Sequence, residues 1–227
     1  QAIHHFRVEV KKLRALLRLL SANNQNKTQL KLPGSIKKMY RFVGQIRDEQ
    51  LHQQRLGVNH SINIPRTSLS THEGWKQYIL TDEKLNREEA KIIKLLPLQL
   101  NEQTLQYFFT IKKKKINSII LNNAFTDKNL HTIRKALKDL IYISRLLHQQ
   151  HIVSGYIFRQ RIDLKKAETL AQSLGIFNDI CTALSRLSLP ASTDMEEKEK
   201  LQVKSYRRRW MTAKRNRKKT LARRLEK

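Results

Sequence analysis

Apolar residues recur every three or four positions along most of this chain. At about 100° per residue, that spacing gathers them on one side of an α-helix. It predicts a first helix over residues 2–20, ended by the polar run 21–28. A second helix starts near Ser35, just after Leu32, Pro33 and Gly34, and runs to about Arg55. Residues 57–71 read as a loop. Helical pattern resumes over 72–96, where Pro97 stops or kinks it. Asn101 or Glu102 opens a helix to about Asn122, and Thr126 or Asp127 caps the next, to about Gln150. After a break at 151–156, a long helix covers 158–187. Pro190 closes that region, and Ser192 or Thr193 with Glu196 resembles a capping box for a last helix. No segment reads as a strand: the β-branched residues of 116–120 sit within a helical period. The expected fold class is all-α, which the scarcity of Gly (6) and Pro (4) favours.

Charge changes the picture. The 227 residues hold 46 Lys+Arg against 19 Asp+Glu, a net +27. A compact state with that excess repels itself, and a polyanionic partner would relieve the repulsion. Nucleic acid, an anionic membrane surface and a phosphate polymer are the candidates. One cysteine, Cys181, leaves no disulfide framework. No stretch approaches the ~18 apolar residues of a membrane span, and none reads as a signal peptide, so membrane insertion is not expected and a cytoplasmic protein is.

The chain also echoes itself. Shifting by 127 residues (131 − 4) lays His4 on His131, Arg7 on Arg134, Lys11 on Lys138 and Arg18 on Arg145. The apolar Phe6, Val10, Leu13 and Leu20 fall on Ile133, Leu137, Leu140 and Leu147. In the first helix His4, Arg7, Lys11, Arg14 and Arg18 form one cationic stripe, about 120° from the apolar stripe Phe6, Val10, Leu13, Leu17, Leu20. The later helix repeats that offset. A second echo, at a shift of 131 (175 − 44), lays Gly44 on Gly175 and Asp48 on Asp179. Glycine inside a helix costs about 1 kcal/mol relative to alanine, so two at matching positions predict close approach of another helix. The expected organisation is one domain of two helical repeats, about 1–122 and 123–227.

Four short patterns then stand in order: His4, Arg7, Val8, Lys11, Lys12, Arg14; Gly44, Arg47, Asp48; His131, Arg134, Lys138, Tyr142; and Leu174, Gly175, Asn178, Asp179. In these the chain resembles the CHAD domain (conserved histidine α-helical domain) family over essentially its whole length. The resemblance implies two helical bundles related by a pseudo-two-fold axis, with basic residues lining a central channel or groove. It further implies binding of inorganic polyphosphate, localisation to polyphosphate granules, and no catalysis. The sequence departs from the family pattern at Asp139 and Ile141, where the second half often carries basic residues, and at Gln50, which replaces an acid.

A phosphate chain offers repeated anionic oxygens and no bases. Arginine suits it through a planar fork of donors, lysine as a compact charge, histidine as a donor whose charge follows pH. The candidate ligands on the first helix are His4, Arg7, Lys11, Lys12, Arg14 and Arg18, with Lys37, Lys38 and Arg41 on the second. In the second half they are His131, Arg134, Lys138 and Arg145, with Arg161 and Lys165 on the face that carries Gln172 and Asp179. Lys112 falls inside the apolar stripe Leu105, Phe108, Phe109, Ile116, Ile119, where a lysine needs an anion, so it joins the set with Lys115 beside it. Asp48 and Asp179 would hold cations in position. His5 sits off the ridge, and no carboxylate or thiol stands at ligand spacing from the histidine pair, so neither metal nor cofactor is expected.

Other readings stay open. The tail 206–224 packs Tyr206, Trp210 and Ala213 inward and turns cations outward, which suits a nucleic-acid- or ribosome-binding protein. A polyphosphate or nucleotide hydrolase is the enzymatic alternative. The chain shows no Walker loop or cluster of acids for divalent metal, and Leu201 stands where the strand motif of the triphosphate tunnel enzymes, sometimes joined to CHAD domains, needs lysine.

Overall fold

The computed structural model describes residues 2–22, 30–56, 81–94, 96, 100–150, 163–187 and 197–226. Among them are seven helices and no strand: α1 (Ala2–Ala22), α2 (Gly34–Leu56), α3 (Asp82–Ile93), α4 (Glu102–Leu121), α5 (Asp127–Gln149), α6 (Leu164–Leu187) and α7 (Glu197–Leu225). The helical period predicts the bounds of most described elements to within a few residues, but the helices expected over 72–96 and 158–187 begin late, at Asp82 and Leu164, behind the non-helical caps Thr81 and Asp163. The loop at 57–71, residues 72–80 and 158–162 of the two expected helices, the break at 151–156 and the capping box at 192–196 lie outside the described residues.

Local chemistry sets the helix starts. Thr126 Oγ1 accepts from the Asn129 amide at 3.2 Å, as its N-cap position predicts. Asn101 Oδ1 accepts from both the amide and the hydroxyl of Thr104, at 2.8 and 2.6 Å, and so opens α4. Asp163 Oδ1 does the same for the Lys166 amide at 2.9 Å and opens α6. Between α4 and α5, Asn123 takes a left-handed φ of 48°, a conformation asparagine tolerates better than most residues.

The chain forms two compact units, Gln1–Ser61 with Pro65–Phe108, and Ile62–Ile64 with Phe109–Lys227. The division falls inside α4. In the first unit α1 packs on α2; in the second α5 packs on α6, and α6 on α7. Helix α5 carries the densest core, with Leu130, Ile133, Leu140, Ile141 and Ile143 all buried.

Helix α1 differs from its predicted single core stripe. Val10 and Leu17 are buried as expected, while Phe6, Leu13 and Leu20 are half-buried. Ala15 and Leu19, about 140° and 180° further round the helix from Val10, are also buried. The cationic ridge therefore runs between two buried flanks. No helix among the described residues is long and apolar enough to cross a membrane.

Candidate functional site

In the first unit the ridge of α1 lies against α2. The Arg7 side chain crosses α2 at Gly44, where a Cβ would overlap Arg7 Nη1. Its guanidinium also stands over the Tyr40 ring, with Cζ 5.0 Å from the centroid. Arg14 shares that ring at 4.2 Å. One ring thus serves two guanidinium groups. Burial is the largest cause holding Arg14 below its ordinary pKa; Tyr40 opposes it, and Arg18, Arg41 and Arg7 add repulsion. His4 is lowered too, first by burial and then by the charges of Arg47, Lys11 and Arg7.

The second unit repeats the contact with the matched residues. Arg134 of α5 crosses α6 at Gly175, where a Cβ would stand 3.4 Å from Nε and 3.6 Å from Nη2. The glycines thus admit an arginine side chain, a narrower purpose than the helix approach their spacing predicts. Lys138 Nζ stands 5.6 Å from the Tyr142 centroid. Arg134, Lys138, Tyr142, Arg145, Glu168, Gln172, Gly175 and Asp179 line a cleft of about 400 Å³ with Ile141, Ala171 and Ile176. Burial leads the depression of the Lys138 pKa, followed by Arg134 and Arg145, with Glu168 opposing. His131 is lowered by burial and by Lys135 and Arg134, against a hydrogen bond it donates to the Asn178 side chain. His131 Nδ1 and Arg134 Nε are buried with no hydrogen-bond partner among the described residues. Such atoms in a native protein call for one.

Each tyrosine stands where the other unit has alanine. At the offset of 131, Tyr40 matches Ala171; at 127, Ala15 matches Tyr142. Both alanines are fully buried. The ring comes from α2 in one unit and from the first helix of the pair in the other. Its position was legible in the spacing: Tyr40 precedes Gly44 by one turn, and Tyr142 follows Lys138 by one turn.

The units differ in charge. Lys12, Arg14, Lys37, Arg41 and Arg47 of the first match Asp139, Ile141, Glu168, Gln172 and Asn178 of the second. Five cations face two carboxylates and three uncharged residues. Within the cleft Glu168 pairs with Arg145 at 2.6 Å.

Several expected ligands fall elsewhere. Lys112 donates to Asp139 at 2.6 Å, with side-chain exposures of 18% and 7%. The anion that its place in an apolar stripe demands is the chain's own, which corrects its assignment as a channel residue. The acid at 139, one of the departures from the family pattern, serves the core. Lys12 pairs with Glu9 at 2.8 Å on the exposed surface, off the ridge. Asp48 is half-buried and makes no ion pair among the described residues. Lys115 and Lys165 are exposed and do not line the cleft. His4, Arg18, Lys37, Lys38 and Arg41 are exposed, while Arg7, Lys11 and Arg14 are half-buried. Arg161 lies outside the described residues.

Comparison with family models, with curated proteins and with solved structures finds no match to this chain.

Proposed function

We propose that this chain is a non-catalytic CHAD-like protein that binds inorganic polyphosphate through its two arginine-on-glycine clusters. The repeated contact, Arg7 on Gly44 and Arg134 on Gly175, carries the reading. In each unit a helical glycine, costly in itself, admits a guanidinium beside a tyrosine-backed cation. Like charges are gathered at half-buried positions, where an anion repays the desolvation. Depressed pKa values of His4, Arg14, His131 and Lys138 fit sites short of negative charge. Arg134 Nε offers a buried donor to a phosphate oxygen.

The charge difference assigns unequal shares. The first cluster, free of the carboxylate that Glu168 places in the second, supplies most of the attraction. As part of the same reading, the units are pseudo-two-fold-related bundles whose clusters serve one polymer along a basic channel or groove, and the protein is cytoplasmic or granule-associated. Titration of labelled long-chain polyphosphate without added metal tests the binding. An Arg7→Gln/Arg134→Gln variant of unchanged helicity should bind clearly less tightly than the parent. Phosphate release on adding Mg²⁺ would instead point to the hydrolase.

A further inference from the structure

The polyphosphate reading leaves the most basic stretch of the chain unused. From Leu201 to Leu225, helix α7 holds eleven Lys and Arg and no acid. The protein consumes only its inner side. Leu221 and Leu225 are buried. Lys214 and Lys218 bond Asp127 at 2.5 and 3.2 Å, and Arg224 donates to Ser173 at 3.1 Å.

On the outer side Arg208, Arg215, Lys219 and Arg223 fall within about 80° of one another, with Thr212 between them. All four cations are exposed and make no ion pair among the described residues. They form a straight ridge about 22 Å long. Ser173, under Arg224, lies about 140° round α6 from Glu168, which lines the cleft. The ridge and the cleft therefore use different sides of α6.

We infer that this ridge is a second, independent anion site, and that its partner is the phosphate backbone of duplex nucleic acid. A duplex carries about 13 phosphates over that length in a rigid register. A rigid ridge meets a rigid rod with little ordering cost, whereas a flexible polymer on an open ridge gains no enclosing wall. A single strand would need aromatic platforms, and Tyr206 and Trp210 are half-buried against each other, with centroids 6.3 Å apart. A membrane-lying helix would need an apolar stripe along that face; between Arg208 and Arg223 it carries Thr212 and Asn216, and the exposed Leu201 and Met211 stand singly before it and at its margin. Recognition is independent of base sequence, since long cations alone reach the backbone.

The test uses the full chain, a fluorescent duplex of about 24 base pairs, and salt from about 50 to about 200 mM. The parent should bind the duplex and lose affinity steeply with salt. The R208Q/R215Q/K219Q/R223Q variant, with helicity confirmed by circular dichroism, should bind at least about tenfold more weakly. Its log–log salt slope should shrink by roughly 0.9 per cation removed. Its polyphosphate affinity should hold, while Arg7→Gln/Arg134→Gln shows the reverse pattern. Unchanged duplex binding by the quadruple variant would overturn the inference. So would parallel loss of both ligands, or a preference for single strands or phosphatidylserine vesicles over the duplex.

Discussion

The Arg7 guanidinium occupies the space that a β-carbon at Gly44 would fill. The matched pair, Arg134 and Gly175, makes the same contact less tightly, at 3.4 Å. Only Gly44 is thus kept bare for a cation, since a β-carbon at Gly175 would sit at ordinary contact distance from Arg134. That contact converts a repeat in the sequence into a repeated piece of chemistry.

The difference in tightness separates two substitutions. Gly44→Ala should leave the fold intact or stabilise α2 by up to about 1 kcal/mol. The flexible tip of Arg7 can swing aside, and its removal from the site should weaken polyphosphate binding several-fold. Gly175→Ala meets Arg134 at ordinary van der Waals distance and should change affinity little. Denaturant unfolding and polyphosphate titration on both variants check the pair.

Lys112 and Asp139 behave as a core ion pair. Either Lys112→Ala or Asp139→Ala alone should cost about 3 kcal/mol, because a largely buried charge loses its 2.6 Å partner. The apolar double substitution Lys112→Leu/Asp139→Leu should recover most of that loss. Urea unfolding of the three variants gives the comparison, and polyphosphate affinity should follow none of them.

Proton linkage gives a third expectation. His4 and His131 have lowered pKa values in the free protein, chiefly through burial and then through neighbouring cations. A bound polyanion favours imidazolium and raises both. Affinity should therefore increase as pH falls through the bound-state pKa values and level off below the free ones, with protons taken up on binding. Calorimetry in buffers of different ionisation enthalpy measures the uptake. Replacing both histidines with glutamine should flatten the profile.

The α7 clamp titrates at both ends of the scale. Burial raises the Asp127 carboxyl, but hydrogen bonds and charge from Lys214 and Lys218 outweigh it and hold the pKa below the ordinary value. Its contribution is present above the unfolded carboxyl pKa and fades as pH falls through the folded one. The Asp127 hydrogen bond raises Lys214, so that contribution is lost as pH rises through its folded value. Asp127→Asn should lower the melting temperature near neutral pH, and the gap to the parent should close in acid.

Much of this was legible in the sequence because helical period is a local property. Helix bounds, the Thr126 cap and the ridge His4–Arg7–Lys11–Arg14–Arg18 all follow from spacing. What spacing could not give was partnership across helices. Lys112 reads as a cation awaiting a ligand until Asp139, 27 residues away, is seen to meet it. Nothing in the spacing marks Glu168 as the partner of Arg145, 23 residues before it. Tyr40 stands out only once two guanidinium groups are seen beside its ring. Ala15 and Leu19 escaped the single-stripe pattern because α1 is buried on two sides.

The most direct measurement is polyphosphate affinity at ~150 mM salt for the parent, for Arg7→Gln/Arg14→Gln and for Arg134→Gln/Lys138→Gln, each with helicity verified. Two arginine-on-glycine clusters of unequal charge predict a loss in both double variants, of at least about tenfold in the first and smaller in the second. Parent-like affinity in both, with the fold intact, would contradict the proposed site.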